Sequence, residues 1–290
     1  MKLLTTLVLC AVSLAAQAQD VAPRPKVVAL LAAVGDRIEL VMQKRETGSH
    51  LEPFDREILP VSSQALNYAA LRGLDAAVAE DQPQARRVLL QWVMPAYLAD
   101  HLQNATGAER RDLVLEAVTH YLAVLPDRQQ WDEVELIVPA YRFSPLDGMG
   151  KRLSGVGIYV QTVARESVFF NDPAYHEVDR GAADGDYKTV NPNTGETAKS
   201  SVYLAPYMYF ERLTYDAKSM QLLKSQLFFN NTKYADPQSV EMQIAKQMPS
   251  DQLLEKLTQT VEHAAYLSLH PGGVKTSTPK ALSAGSTVGG

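Results

Sequence analysis

From residue 26 onward, short apolar runs alternate with longer stretches of helical spacing. KVVALLAAVG (26–35) is apolar from Val27 to Val34 and ends at glycine, which predicts a strand buried on both faces. RIELVMQK (37–44) alternates, predicting a second strand or the first one continued past a bend. RETGSHLEPFDRE (45–57) is polar, holds Gly48 and Pro53, and predicts a loop. Ser62 or Ser63 stands where a helix cap belongs. Beyond it Leu66, Ala70, Leu74 and Val78 recur at four-residue steps and form one apolar face, until Pro83 ends the helix. ARRVLLQWV (85–93) predicts a strand, and AERRDLVLEAVTHYLAVL (108–125) a helix with Glu109 and Asp112 in its favourable first turn. Pro126 closes that helix, and VELIVPAYR (134–142) returns to strand.

Beyond residue 150 the rhythm changes. VGIYVQTVA (156–164), SVYLAPYMYFERLTYD (201–216) and MQLLKSQLFFNNTKYAD (220–236) read as strands, with DAKS (216–219) as a hairpin turn. Two helices follow, around 238–248 and 251–269, separated by Pro249, with Ser250 or Asp251 capping the second. The fold class is therefore mixed α/β. βαβ units with a mostly parallel sheet occupy the N-terminal half, and antiparallel strands with C-terminal helices the second. Residues 20–270 are expected to form a single domain, with a sub-boundary near 145–155. The glycine-, serine- and threonine-rich end, 271–290, offers little to bury and is expected to be disordered.

Residues 1–19, MKLLTTLVLCAVSLAAQAQ, combine Lys2, an apolar stretch to Ala16 and the A-x-A sequence Ala16-Gln17-Ala18. That pattern predicts a cleaved secretory signal peptide, with the mature chain expected to start near Gln19 or Asp20. Its apolar run is shorter than the ~20 residues a permanent transmembrane anchor needs. Cys10, the one cysteine, lies inside the leader. Leu9 precedes it where lipid attachment wants a small residue, so no disulfide, thiolate or lipid is expected on the exported chain. Export without disulfides suits a bacterial periplasm, and the expected location is periplasmic or secreted. Removing Lys2 takes the net charge from −5 to −6, and no long basic run argues for nucleic acid as a partner.

The stretch DGMGKRLSGVGIYVQ (147–161) sets glycines around Lys151 and Arg152. A P-loop requires Ser or Thr after the lysine and glycine five residues before Gly150; here stand Arg152 and Pro145. G-x-G-x-x-G fails at Leu153, and a β-branched segment follows where a helix N-terminus should bind phosphate. The stretch reads as a strand connection whose glycines supply positive φ or a bulge, with Lys151 and Arg152 as candidate ligands for an anionic group.

Three further places carry candidate chemistry. Asp36 follows the first apolar strand, at the end where parallel sheets bind ligands, although Gly-Asp also forms turns. His50 lies in TGSHLEPFD beside Glu52 and Asp55, a histidine among carboxylates fit for acid–base work. The segment 170–197 holds Asp172, His176, Glu177, Asp179, Asp184 and Asp186, oxygen donors of the kind calcium favours. Its EF-hand pattern breaks at Lys188 and Thr189, so no metal is assigned. His101, His120, His263 and His270 form no H-x-H or H-x-x-x-H pair, and Ser154-Gly155 lacks the upstream glycine of a nucleophile elbow. Tyr207 and Tyr209 share one face of a strand, either packed or presented to a sugar or a partner.

No cofactor is expected. The leading expectation is an exported, non-enzymatic binding or envelope-associated protein, whose partner is a protein or small ligand of the cell envelope. It would bind through Lys151, Arg152, His176, Asp184, Asp186, Tyr207 and Tyr209. The rival is a periplasmic hydrolase, metal-dependent or not, using Asp36, His50 and Asp55. A third class, a component of a surface assembly, requires an uncapped edge strand that recruits copies of itself.

Overall fold

Strand β1, Val27–Ala32, is buried at every position. Val28, Leu30 and Ala32 enter one apolar cluster while Val27, Ala29 and Leu31 enter another, so the continuous apolar run reflects layers on both sides. The computed structural model describes residues 24–35, 37–43, 54–61, 63–105, 107–141, 152–164, 178–179, 188–190, 197–235, 245, 248–270 and 280–281. Residues 1–19, expected to be a leader, residues 271–290 apart from Lys280–Ala281, and the helix expected at 238–248 apart from Ala245 and Met248 lie outside them.

The strands are β1, β2 (Arg37–Gln43), β3 (Phe54–Pro60), β4 (Arg86–Leu90), β5 (Glu133–Pro139), β6 (Val156–Ala164), β7 (Val178–Asp179), β8 (Lys188–Val190), β9 (Thr197–Asp216), β10 (Leu222–Asn231), β11 (Tyr234–Ala235) and β12 (Lys280–Ala281). The helices are α1 (Ser63–Asp81), α2 (Ala96–Asn104), α3 (Gly107–Val124) and α4 (Ser250–Leu267). β1 runs parallel to β4 and β5, and β2 parallel to β6, as βαβ connections require. β9 is antiparallel to β5, β6 and β10. The mixed α/β expectation is what the chain adopts.

Two details depart from the sequence reading. Residues 54–57, expected in a loop, begin β3, which pairs with β2 from Gln43↔Phe54 to Arg37↔Pro60. β3 is an edge strand with largely exposed side chains, so backbone pairing and not an apolar face defines it. Helix α2 was not foreseen. It buries only Leu98 and Leu102, one turn apart, and Pro95 precedes its first residue.

α1 and α4 pack on one face of the sheet, where Leu66, Leu74 and Val78 meet Leu257, Val261 and Ala264. α2 and α3 cover the other with Leu98, Leu102, Val114, Val118 and Leu122. Each such leucine or valine stabilises the fold by about 1.5–3 kcal/mol through burial. β9 obeys period two across this partition: Leu204, Met208 and Phe210 face α1 and α4, while Tyr203, Ala205 and Tyr207 face away.

The pairing of β9 fixes where the sheet is discontinuous. Tyr207 and Met208 pair with both β6 and β10, and Phe210 to Tyr215 pair with both β5 and β10. A residue has one neighbour per edge, so β5 and β6 lie end to end along the same edge of β9. β1 and β2 lie end to end beside them. The two long composite strands break at 33–36 and at 140–155.

Candidate functional site

The break sits at the carboxyl ends of β1 and β5, where open α/β sheets place ligands. Its backbone groups are re-satisfied locally. Ala140 N–H donates to Tyr209 O at 3.0 Å, Gly155 N–H to Ala140 O at 2.9 Å and Tyr209 N–H to Gly155 O at 2.7 Å. On β1, Val34 N–H donates to Asn67 Oδ1 at 2.7 Å, and Asn67 Nδ2 donates to Trp92 O at 3.3 Å. A buried side-chain amide from α1 thus replaces the missing ladder. Gly35 (φ +110°) cannot carry a side chain, since its Cβ would stand 2.5 Å from Tyr141 Oη. The guanidinium groups of Arg37 and Arg110 lie 5.7 and 5.0 Å from the centre of the Tyr141 ring.

The recess at this break, lined by Ala32, Asn67, Leu71 and Trp92, holds only about 20 Å³. That is room for roughly one water. Size therefore decides against a ligand in that recess. Asn67→Ala orphans a buried N–H and a buried C=O, and is expected to cost about 2 kcal/mol, read from the urea midpoint.

The glycine-rich connection leads from this break into β6. Gly155 has φ +58°, and a Cβ on Gly157 would meet Glu39 O at 2.2 Å and Tyr207 Oη at 2.7 Å, so the glycines serve a positive φ and a close strand crossing. Ser154 Oγ donates to Glu39 Oε1 at 2.9 Å, Tyr207 Oη to Ser154 O at 3.1 Å, and Arg56 Nη2 to Arg152 O at 2.6 Å. Arg56 also pairs with Glu39 at 3.4 Å. The Arg152 guanidinium lies over the Phe54 ring at 5.2 Å.

Tyr207 and Tyr209 are buried, and their rings lie 6.1 and 6.4 Å from that of Phe229. Neither offers a free face to a sugar. Burial also pushes the Tyr207 phenol well above its ordinary range, and the neighbouring Tyr159 up to about 12. Tyr207 and Tyr159 are packed, neutral phenols at any physiological pH.

Asp55 is exposed on β3, opposite Met42. Five residues of ladder separate Met42 from Arg37, so Asp55 lies roughly 17 Å along the sheet from Arg37. Asp36, His50, Lys151, His176, Asp184 and Asp186 lie outside the described residues. Of the 170–197 segment, β7 and β8 are described; β8 pairs with the first residues of β9 through Val190↔Thr197. Among the described residues no group of three or more His, Cys, Asp or Glu is placed to hold a metal ion.

A larger recess, of about 670 Å³, opens between α2 and α3. Leu98, Leu113, Ala117 and Met220 give it apolar walls, and Tyr97, His101 and His120 give it a polar rim. Met220 is held there by the β9–β10 hairpin, where Ser219 N–H donates to Asp216 Oδ1 at 2.7 Å and Met220 takes φ +58°. His101 is anchored through Nδ1 to Tyr97 O at 2.6 Å. The sequence reading missed this groove because it missed α2. The available signal was Leu98 and Leu102 one helical turn apart after Pro95.

No protein-family model matches the sequence, and no curated protein matches it. Among solved structures, a neuraminyllactose-binding hemagglutinin homolog from Helicobacter pylori is 10% identical with a TM-score of 0.33, over 85% of this chain and 81% of that one. The hypothetical protein CT253 from Chlamydia trachomatis is 9% identical with a TM-score of 0.23, over 83% of this chain and 98% of that one. Likenesses this low carry no argument about what the chain does.

Proposed function

We propose that this chain is an exported, non-catalytic binding protein of the bacterial cell envelope that takes a small amphipathic ligand between α2 and α3. The groove carries the reading. Its volume of about 670 Å³ falls within the roughly 300–1,000 Å³ of small-molecule sites. Its apolar walls would bury a ligand's hydrocarbon, and Tyr97, His101 and His120 would orient a polar end at the rim. The leader of residues 1–19 supports export, and no helix among the described residues is long and apolar enough to cross a membrane.

The test titrates the chain lacking its leader with the amphipathic fluorophore 1-anilinonaphthalene-8-sulfonate. One saturable site is expected, lost in Ala117→Trp, whose indole fills the groove, while the melting temperature holds. Equal binding by both proteins, or none by either, removes the groove from the account. Export is checked separately: osmotic shock should release a product whose N-terminal sequence begins near Gln19 or Asp20.

A further inference from the structure

Among the described residues, the strands of five residues or more that pair on one side only are β3 with β2, β4 with β1, and β10 with β9; the two-residue strands β7 and β12 do so too. Exposed edges invite pairing with another chain, and proteins blunt them with charge, proline or brevity. β3, FDREILP, carries Asp55, Arg56 and Glu57 and ends in Pro60. β4, RRVLL, spans five residues and begins with Arg86 and Arg87. β10, LLKSQLFFNN, has ten residues, no proline and one charge, Lys224. A register shift between Leu222 and Lys224 is its one irregularity. Leu222, Leu223 and Leu227 are exposed at 47%, 56% and 39%, so no described residue covers these side chains.

We infer that β10 is a homodimerisation edge, pairing antiparallel with β10 of a second copy about a two-fold axis and joining two sheets into one. The reading is independent of the groove. A second copy is the occupant the strand itself specifies. In an antiparallel pair directly opposed residues lie on one face, so a two-fold centred near Leu227 sets Leu227 against its own counterpart. With one charge per strand, such a register brings no two lysines together, whereas β3 carries three charges in seven residues and β4 two in five. The exposed leucines add apolar burial to the new backbone bonds.

Light scattering coupled to size exclusion, over a concentration series of the chain without its leader, should show a dimer. Leu222→Lys with Leu227→Lys should weaken its dissociation constant by about tenfold or more, because two ammonium groups then face each other at position 227 and position 222 loses its apolar surface. Circular dichroism of the folded chain should not change, since both positions are exposed. Cys10, in the leader, is the only native cysteine, so a single introduced cysteine can pair only with its copy. Leu227→Cys should cross-link on mild oxidation, as opposed strand residues sit within disulfide reach, and Leu254→Cys on α4 should not. A monomer at every concentration, a dimer that keeps its affinity in the double lysine variant, or equal cross-linking at 254 would overturn the inference. So would a monomer that captures a free peptide copying residues 222–231, which would make β10 a peptide-binding edge.

Discussion

Arg212→Met should destabilise the fold by about 3–5 kcal/mol, the cost of leaving one member of a buried ion pair behind. Arg212 and Glu135 are buried on neighbouring strands, their side chains 4% and 5% exposed and Nε and Oε2 separated by 3.6 Å. Arg212 Nη2 donates to Gln226 Oε1 at 3.0 Å, and Thr214 Oγ1 donates to Glu135 Oε1 at 3.0 Å. The methionine keeps an unbranched apolar side chain there and removes the charge, together with the guanidinium that lies 5.7 Å from the centre of the Phe228 ring. Glu135 then keeps only the threonine. Burial already raises its carboxyl above the ordinary 4.5, with Arg212 the main opposing influence, so losing Arg212 raises it further.

The sign of the pH effect follows. A carboxyl with a raised folded-state pKa holds a proton that the unfolded chain releases. Stability therefore falls as pH climbs from 4.5 through the folded value. The variant's deficit should be smaller at pH 5 than at pH 8 in urea melts. Adding Glu135→Leu removes the stranded carboxylate, and the double variant should return to wild-type stability or exceed it by about 1–4 kcal/mol. A single variant within about 0.5 kcal/mol of wild type, or a double variant no better than the single, would show that the pair is not desolvated.

That pair also shows where the sequence stops being readable. Glu211-Arg212 in the middle of a strand reads as a solvent-facing stretch, and only β5 on one side and β10 on the other bury it. β1, α1, α3 and α4 were legible because their apolar spacing reports faces covered by whole layers. β3 and α2 were not, one being an exposed edge and the other holding two buried leucines.

The site was less legible than the fold. Asn67 looks like an ordinary helix polar residue; its role depends on Val34 and Trp92, 33 and 25 residues away. The period-two reading put Tyr207 and Tyr209 on one face, but no local pattern revealed that β9 is paired on both edges and packed against Phe229. The α2–α3 groove is a property of two helices, and a reading that lacks one of them cannot contain it.

Gly73→Ala sets two effects of opposite sign against each other, and their sizes decide the outcome. In an isolated helix the change gains about 1 kcal/mol, since glycine is the poorer helix former. At residue 73 of α1, however, an added Cβ would stand 2.0 Å from Glu262 O, 2.9 Å from Glu262 C and 3.1 Å from Ala265 Cβ. The obstacle is the backbone of α4, which no rotamer change can move. The helices must separate by more than an ångström-scale adjustment, opening the cluster that Leu66, Leu74, Leu257 and Val261 fill. They must also stretch the Arg72–Glu262 ion pair, now 2.7 Å, and the Tyr266–Glu80 hydrogen bond, now 2.6 Å. Overpacking of this kind costs about 3 kcal/mol and sometimes more, so the variant should be less stable by at least about 2 kcal/mol net. Thermal and urea melts read the loss directly, and fluorophore binding between α2 and α3, on the opposite face of the sheet, should persist below the melting transition. A variant more stable than wild type would mean that helix propensity has won, which it can do only if α1 and α4 do not cross in backbone contact at residue 73.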